Sequence, residues 1–266
     1  MMQKAPTVCS APVLEYVYPK VLLLARSALV QAQAQASLIT LLQLLVRAGL
    51  PSLTQQDVFR QLYNTEGGRG DVRLSKQSLF NLSKCIAGVT FAFAGAEDSS
   101  EWLQRFTTDL TDSPPTQRQL ALLCVGEVGQ RRDLSHVPHI TDLLLACFEA
   151  PAENTKLCAA YALGHIAVGN MGTFLPCILS PAPTPKHQYL LLAALKEMVT
   201  AFASLDRDFA PHLDEALPLL LQQCRSPEES VRGMVAECLG VLTSMLSAQI
   251  IPLLQQLAAE EDKLGR

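Results

Sequence analysis

SPPTQRQLALLCVGEVG (113–129), APAENTKLCAAYALGHIA (150–167) and SPEESVRGMVAECLGVLT (226–243) fall into register when Gly126, Gly164 and Gly240 are superimposed. A basic residue stands eight positions before each glycine (Arg118, Lys156, Arg232) and a small or β-branched one five before (Ala121, Ala159, Val235). An apolar residue comes immediately before (Val125, Leu163, Leu239) and another two positions after (Val128, Ile166, Leu242). Gly126 and Gly164 are 38 residues apart; Gly164 and Gly240 are 76 apart, twice that. A helical apolar pattern repeating at this period predicts stacked helix pairs of the HEAT or armadillo kind, in which each pair buries its apolar face only against its neighbours.

Weaker copies fill the gaps: KHQYLLLAALKEMV (186–199) with Lys196 in the glycine position, KQSLFNLSKCIAGV (76–89) with Lys84, and QASLITLLQLLV (35–46) with Gln43. These make six second helices. The first helices are predicted at 13–26, 53–64, 99–111, 139–149, 171–180 and 209–224, followed by an unpaired helix at 249–260. The expected division is an unstructured segment 1–12, an all-α solenoid of about six helix pairs over 13–260, and a frayed tail 261–266. Pro114, Pro115, Pro151 and Pro227 open second helices, where no intrahelical N–H bond is lost, and Pro176, Pro218 and Pro252 fall inside first helices, where kinks are expected. The glycines are read as points of close helix approach, since a helix-interior Gly costs about 1 kcal/mol against Ala unless packing offsets it. The basic residue eight earlier is read as forming a solvated ion pair, or one with a carboxylate of a neighbouring repeat, such as Glu153 or Glu229.

Composition agrees. The 266 residues include 46 Leu and 31 Ala, and only 6% are aromatic, a bias toward helix. With 21 basic against 25 acidic residues, well mixed, there is no cationic face of the kind that binds nucleic acid. Arg26, Gln43, Arg47 and Gln222 interrupt the longest apolar runs, so no membrane span of about 18 residues is predicted. The first residues lack the apolar core of a secretion signal. The eight cysteines (Cys9, Cys85, Cys124, Cys147, Cys158, Cys177, Cys224, Cys238) are scattered through helical stretches and are read as free, buried thiols in a reducing compartment.

Catalytic, cofactor and metal constellations are not apparent. Cys158 and His165 are seven apart on one helix, about 10 Å along its axis, too far for nucleophile and base. His136 and His139 flank Pro138 without a cysteine beside them and read as a surface turn. Glu66-Gly67-Gly68-Arg69-Gly70-Asp71 lacks the Gly-Lys-Ser/Thr of a phosphate loop and reads as a flexible connection; its Arg-Gly-Asp is read as coincidence. Asn81-Leu82-Ser83 matches a glycosylation acceptor but falls in a predicted helix and should be unmodified. A non-enzymatic protein that works through extended binding surfaces is the reading these residues support.

RQLALLCVGEVGQ (118–130), CAAYALGHIAVGN (158–170), KHQYLLLAALKEMV (186–199) and VRGMVAECLG (231–240) resemble the cullin-associated, neddylation-dissociated (CAND) family, also described as TATA-binding-protein-interacting proteins. The resemblance runs from Val13 to Leu257, is most specific over 118–240 and looser over 76–90, and the Pro-rich connection 180–185 is more like the second paralogue. It implies a HEAT-repeat assembly factor of the cytoplasm and nucleus, not an enzyme. Such a factor binds an unneddylated cullin–RING core, promotes substrate-receptor exchange in SCF-type ubiquitin ligases, and contacts TATA-binding protein under its other description. The resemblance covers middle repeats only, so it carries over no partner-binding residue, and weak cullin binding is expected of the segment alone. The alternative is a generic HEAT scaffold, such as part of a transport receptor or phosphatase scaffold. Ile250, Ile251, Leu253, Leu254 and Leu257 on the unpaired helix are expected to leave a sticky face.

Overall fold

A computed structural model describes residues 10–50, 53–65, 74–92 and 99–263. Among these every regular element is a helix. A short α-helical turn at Ser10–Pro12 and a π-helical turn at Val13–Val17 lead into α1 (Tyr18–Ala25), followed by α2 (Ala32–Arg47), α3 (Gln55–Tyr63), α4 (Lys76–Thr90), α5 (Ser99–Asp112), α6 (Pro115–Gly129) and α7 (Ile140–Ala146). A 3-10 turn at Cys147–Glu149 extends α7, and the chain continues through α8 (Glu153–Gly169), α9 (Met171–Ile178), α10 (Pro185–Ser204), α11 (Ala210–Gln223), α12 (Glu229–Met245) and α13 (Ser247–Lys263). The six pairs are present, with α13 following them unpaired, and this is an all-α helical-repeat fold of the HEAT kind. Two bounds differ from expectation. The first helix begins at Ser10, within the 1–12 segment expected to be unstructured, and passes at once into a π turn, where Tyr18 N–H bonds to Val13 O; the Pro19 ring would press on the Glu15 carbonyl in a regular α turn. The last helix runs about a turn longer than 249–260. Residues 1–9, the 66–71 loop with its Arg-Gly-Asp, and 264–266 lie outside the described residues.

The helix starts follow from short polar side chains. Thr54 caps α3 in a reciprocal box with Asp57, Ser75 accepts from Ser78 N–H at α4, Asn170 from Thr173 N–H at α9, and Thr184 from His187 N–H at α10, just before Pro185. The same Thr54 hydrogen bonds hold the Asp57 carboxyl below its ordinary pKa.

The chain forms two compact units, one ending at Val128 and the other beginning at Gly129. In the first, α2 packs on α4, α3 on α4, and α1 on α2. In the second, α8 packs on α10 and α10 on α12, so the second helices follow one another as a layer, with α7 and α9 laid on α8 and α11 on α12. Helix α8 is buried almost all round, from Cys158 through Val168, which is why it reads as apolar on every face.

Close packing explains one of the three aligned glycines and fails for another. A Cβ on Gly164 would run into Ala194 O of α10, with Met198 N at 3.0 Å and Glu197 Cβ at 3.1 Å. A Cβ on Gly240 would meet nothing within 4 Å, and the glycine is exposed. It borders a shallow cleft between α10 and α12. Pro176, Pro218 and Pro252 sit inside α9, α11 and α13 as expected.

Candidate protein-binding site

Phe59 and Tyr63 are four apart on α3, and Trp102 and Phe106 four apart on α5, so each pair shares a helix face. The two faces meet in the first unit. Phe59 lies 3.8 Å from Trp102 and 5.1 Å from Tyr63 between ring centroids, and Phe106 closes the group at 5.2 Å from Tyr63. Beside them opens a cleft of about 750 Å³ whose rim includes Arg60, Glu101 and Arg105.

Four of its lining residues, Tyr63, Arg105, Ser113 and Gln117, converge on one buried carboxylate, Asp109, one turn beyond Phe106. Tyr63 Oη donates to Asp109 Oδ2 at 2.8 Å, Gln117 Nε2 to the same oxygen at 3.3 Å, and Ser113 Oγ to Oδ1 at 2.9 Å. Arg105 Nε sits 3.3 Å from Oδ2, although the arginine side chain is 62% exposed against 6% for Asp109. Thr65 Oγ1 donates to Gln117 Oε1 at 2.8 Å. A buried carboxylate needs such donors to offset its lost hydration. Burial, reinforced by nearby negative charge including Asp109, pushes the Tyr63 phenol well above its usual value, so it remains a donor. None of these residues stands out in the sequence alone; the two aromatic pairs at i, i+4 are the available signal.

Two of the three basic residues at the aligned position bind backbone carbonyls in place of the expected solvated or inter-repeat ion pair. Arg118 Nη2 donates to Thr111 O at 2.6 Å and Ser113 O at 3.3 Å, and Arg232 Nη1 to Ser226 O at 2.8 Å and Pro227 O at 2.9 Å. Both fasten the linker that precedes their own helix, because carbonyls at the end of a first helix and in the turn lack partners there. Lys156 pairs within its helix, 3.2 Å from Glu153 Oε2. The pair that does join repeats comes from the glycine position itself: Lys196 of α10 donates to Glu237 of α12 at 3.0 Å. Partial burial lowers the Lys196 pKa, but the Glu237 hydrogen bond and the Glu197 and Glu237 charges outweigh it and raise the value. His187 of α10 similarly reaches Glu149 Oε1 at 3.0 Å.

The candidate chemical residues occupy structural positions. His165 is buried and stacked on Tyr161 at 3.9 Å. Cys85, Cys124, Cys147, Cys158 and Cys238 are buried, but Cys177 is half-buried and Cys224 exposed, so the reading of all the thiols as buried is corrected at these two; Cys9 lies outside the described residues. Cys177 and Cys224 fall toward the ends of first helices, where one side of the helix faces solvent. Burial pushes the Cys85 and Cys238 thiols up to about 12 and Cys124 higher than its usual range, which works against thiolate chemistry. His139 takes a left-handed conformation (φ 55°) and its Nδ1 lies 3.3 Å from Asp142 Oδ2. Asn81 is fully buried, its Nδ2 donating to Ser27 O at 2.7 Å and Val30 O at 2.8 Å, which leaves no access for a glycan. Among the described residues no group of three or more His, Cys, Asp or Glu is arranged to hold a metal ion, and no helix is long and apolar enough to cross a membrane.

The HEAT repeat family profile matches residues 216–246, the second half of α11 and all of α12. Cullin-associated NEDD8-dissociated protein 1 of Arabidopsis thaliana is 35% identical over 245 residues, 90% of this chain and 20% of its own length. The Drosophila melanogaster protein of the same name is 33% identical over 264 residues, 92% of this chain and 21% of its own. The chain is a homologue of one segment of the cullin-associated NEDD8-dissociated family. Protein 2 of Rattus norvegicus is 34% identical over 258 residues, 94% of this chain and 20% of its own, so identity does not separate the two paralogues. The chain thus spans about a fifth of the length of the curated relatives it matches. Neither those names nor the HEAT profile denotes an enzyme.

Proposed function

We propose that this chain acts by binding protein, its helical repeats holding an unneddylated cullin–RING core during ubiquitin-ligase assembly and substrate-receptor exchange. The observation that carries the reading is identity of 33–35% with cullin-associated NEDD8-dissociated proteins over nine-tenths of the chain. Helical repeats suit the task, because a stacked array spends its apolar faces on its neighbours and offers the outer helix faces to a partner. The cytoplasm and nucleus are the compartments we assign, and TATA-binding protein is a second proposed partner.

A segment one-fifth the length of its relatives lacks most of the contacts that would act together, and linked contacts multiply affinity only when they are tethered. Weak binding of the isolated chain is therefore part of the proposal. Biolayer interferometry against an immobilised cullin–RING core tests it, with NEDD8 attached or absent and TATA-binding protein on a parallel sensor. A weak response to the unmodified core that disappears with NEDD8 is expected. A response indifferent to NEDD8, or none at tens of micromolar chain, would overturn it.

A further inference from the structure

Helix α2 exposes a face that every other second helix buries. Two positions before the aligned glycine stand Leu82, Cys124, Ala162, Ala194 and Cys238 in the five later second helices, and each is 0% exposed. Two of them look back to the second helix before their own. A Cβ on Gly164 of α8 would run into Ala194 O, and Cys238 Sγ donates to Leu192 O of α10 at 3.6 Å. In α2, where Gln43 holds the glycine position, the equivalent residue is Leu41; it is 37% exposed, and Leu44 is 42% exposed. Ala34, Ser37, Leu41, Leu44 and Ala48 are all exposed, and their alternating spacing of three and four is that of a seam between two helices. Leu41 thus marks the face through which second helices stack, and in α2 that face is open.

Its chemistry selects the occupant. Arg47 is the one charged residue of α2, and its Nε already donates to Ala92 O at 2.8 Å. An acidic or basic partner finds no ion pair there, whereas a second copy of the chain brings an equally neutral, equally apolar face. That copy cannot add on head to tail. Helix α13 lies on α12 as α9 lies on α8, so it already holds the place that α1 of an incoming copy would need beside α12. A two-fold arrangement has no such obstacle, because the same face is used by both copies.

We propose that the chain pairs with a second copy of itself through the open faces of α1 and α2, the two α2 helices running antiparallel across a two-fold axis. With the axis between Leu41 and Leu44, Leu41 of each copy meets Leu44 of the other and Ser37 meets Ala48. The two Arg47 side chains then start about 13 Å apart along the helix axis, far enough for salt to screen them. One helix face is too small for the roughly 800 Å² per partner that a stable dimer buries. Helix α1, packed on α2, extends the surface with exposed Tyr16, Val17, Leu23 and Leu24, and Glu15 and Lys20 there cancel in charge. The pairing is independent of the cullin reading, since it uses only this face of the chain and its test contains no other protein.

Sedimentation velocity of the full chain from about 1 to 100 μM, the range expected for an interface of modest size, should show monomer passing into dimer and no larger species. Leu41→Glu with Leu44→Glu, and separately Leu41→Lys with Leu44→Lys, place four like charges at the two-fold axis. Each double variant should weaken the dimer at least about a hundredfold with far-UV circular dichroism unchanged, because both leucines are surface residues. Mixing the Glu and Lys variants in equal amounts should restore a one-to-one dimer, which requires that α2 meet α2. Gly240→Leu, whose side chain enters open space on α12, should leave the dimer unchanged. A chain that stays monomeric at 100 μM, assemblies that keep growing with concentration, double variants that dimerise like the parent, no recovery on mixing, or loss of the dimer in Gly240→Leu would each overturn the proposal.

Discussion

The residues up to Val128 and those from Gly129 onward use the same helix pair in different ways. In the second unit the three second helices α8, α10 and α12 follow one another, Gly164 lets α8 and α10 come into backbone contact, and polar groups between helices are spent on pairs such as Lys196 with Glu237. The first unit places a buried carboxylate and four aromatic rings between its first helices and keeps large apolar side chains in water. Among the described residues Tyr16, Val17, Leu23, Leu24, Leu29, Leu41 and Leu44 are exposed there, Leu29 to 90%, against Leu205 and Ile251 in the second. The expected sticky face of α13 is modest by comparison: Ile250 is buried and Leu253, Leu254 and Leu257 are half-buried. Where second helices stack in the second unit, apolar side chains are committed to that stacking; residues 16–44 of the first unit leave several of them in water.

Substitutions can break or sharpen this contrast. The largest effect is expected at Asp109→Ala, which strands Tyr63, Ser113 and Gln117 around an empty position and should cost about 3 to 4 kcal/mol in urea unfolding followed by Trp102 emission. A loss under about 1 kcal/mol would mean that the first unit is not organised around this carboxylate. Gly164→Ala should follow with about 2 kcal/mol, because the new methyl meets backbone and not a yielding side chain. Removing a linker tie, in Arg118→Ala or Arg232→Ala, should cost about 1 kcal/mol in either unit, since the bonds are equivalent but exposed. Gly240→Ala should do the reverse of Gly164→Ala and stabilise by about 0.8 kcal/mol, the helix propensity difference alone, as nothing opposes the methyl.

The smallest effect is one in which the units should not differ. Cys85 and Cys238 have folded values near 12 against an ordinary 9.0, so the stability they contribute is whole well below pH 9 and is lost as pH rises from there toward 12. At pH 9, where half of such thiols ionise in the unfolded chain, each should take away roughly 0.4 kcal/mol. Thermal unfolding between about pH 7.5 and pH 9.5 should show this slope, and Cys85→Ala with Cys238→Ala should reduce it while buried Cys124 keeps part of it; an unchanged slope would assign the alkaline loss to other groups.

Much of the helix layout is legible in the sequence because it rests on local rules. Apolar spacing, a short polar cap and proline in the first turn are properties of a dozen neighbouring residues, and they place the six pairs and the unpaired helix within a few residues. The basic residue before each aligned glycine is equally visible, yet its partner is not, because the carbonyls that Arg118 and Arg232 take up become unpaired only once the preceding helix has ended. The π turn before α1 has a sequence signal in Pro19. The cleft is harder. Its residues come from α3, α5 and the start of α6, and the pairs at i, i+4 that build it read as ordinary core.

By itself the sequence determined the all-α class, the repeat period and the kinship to the cullin-associated proteins, since each is carried by residues close together or repeated in order. Tertiary structure alone decided which glycine is a contact and which is open, which thiols reach solvent, and that Tyr63, Asp109 and Gln117 share a network. Those outcomes depend on what lies across from a residue: Tyr63 meets Asp109 across 46 positions of sequence, and Thr65 meets Gln117 across 52. No local pattern encodes that distance: packing of one helix on another sets the neighbour, and the neighbour sets the energy.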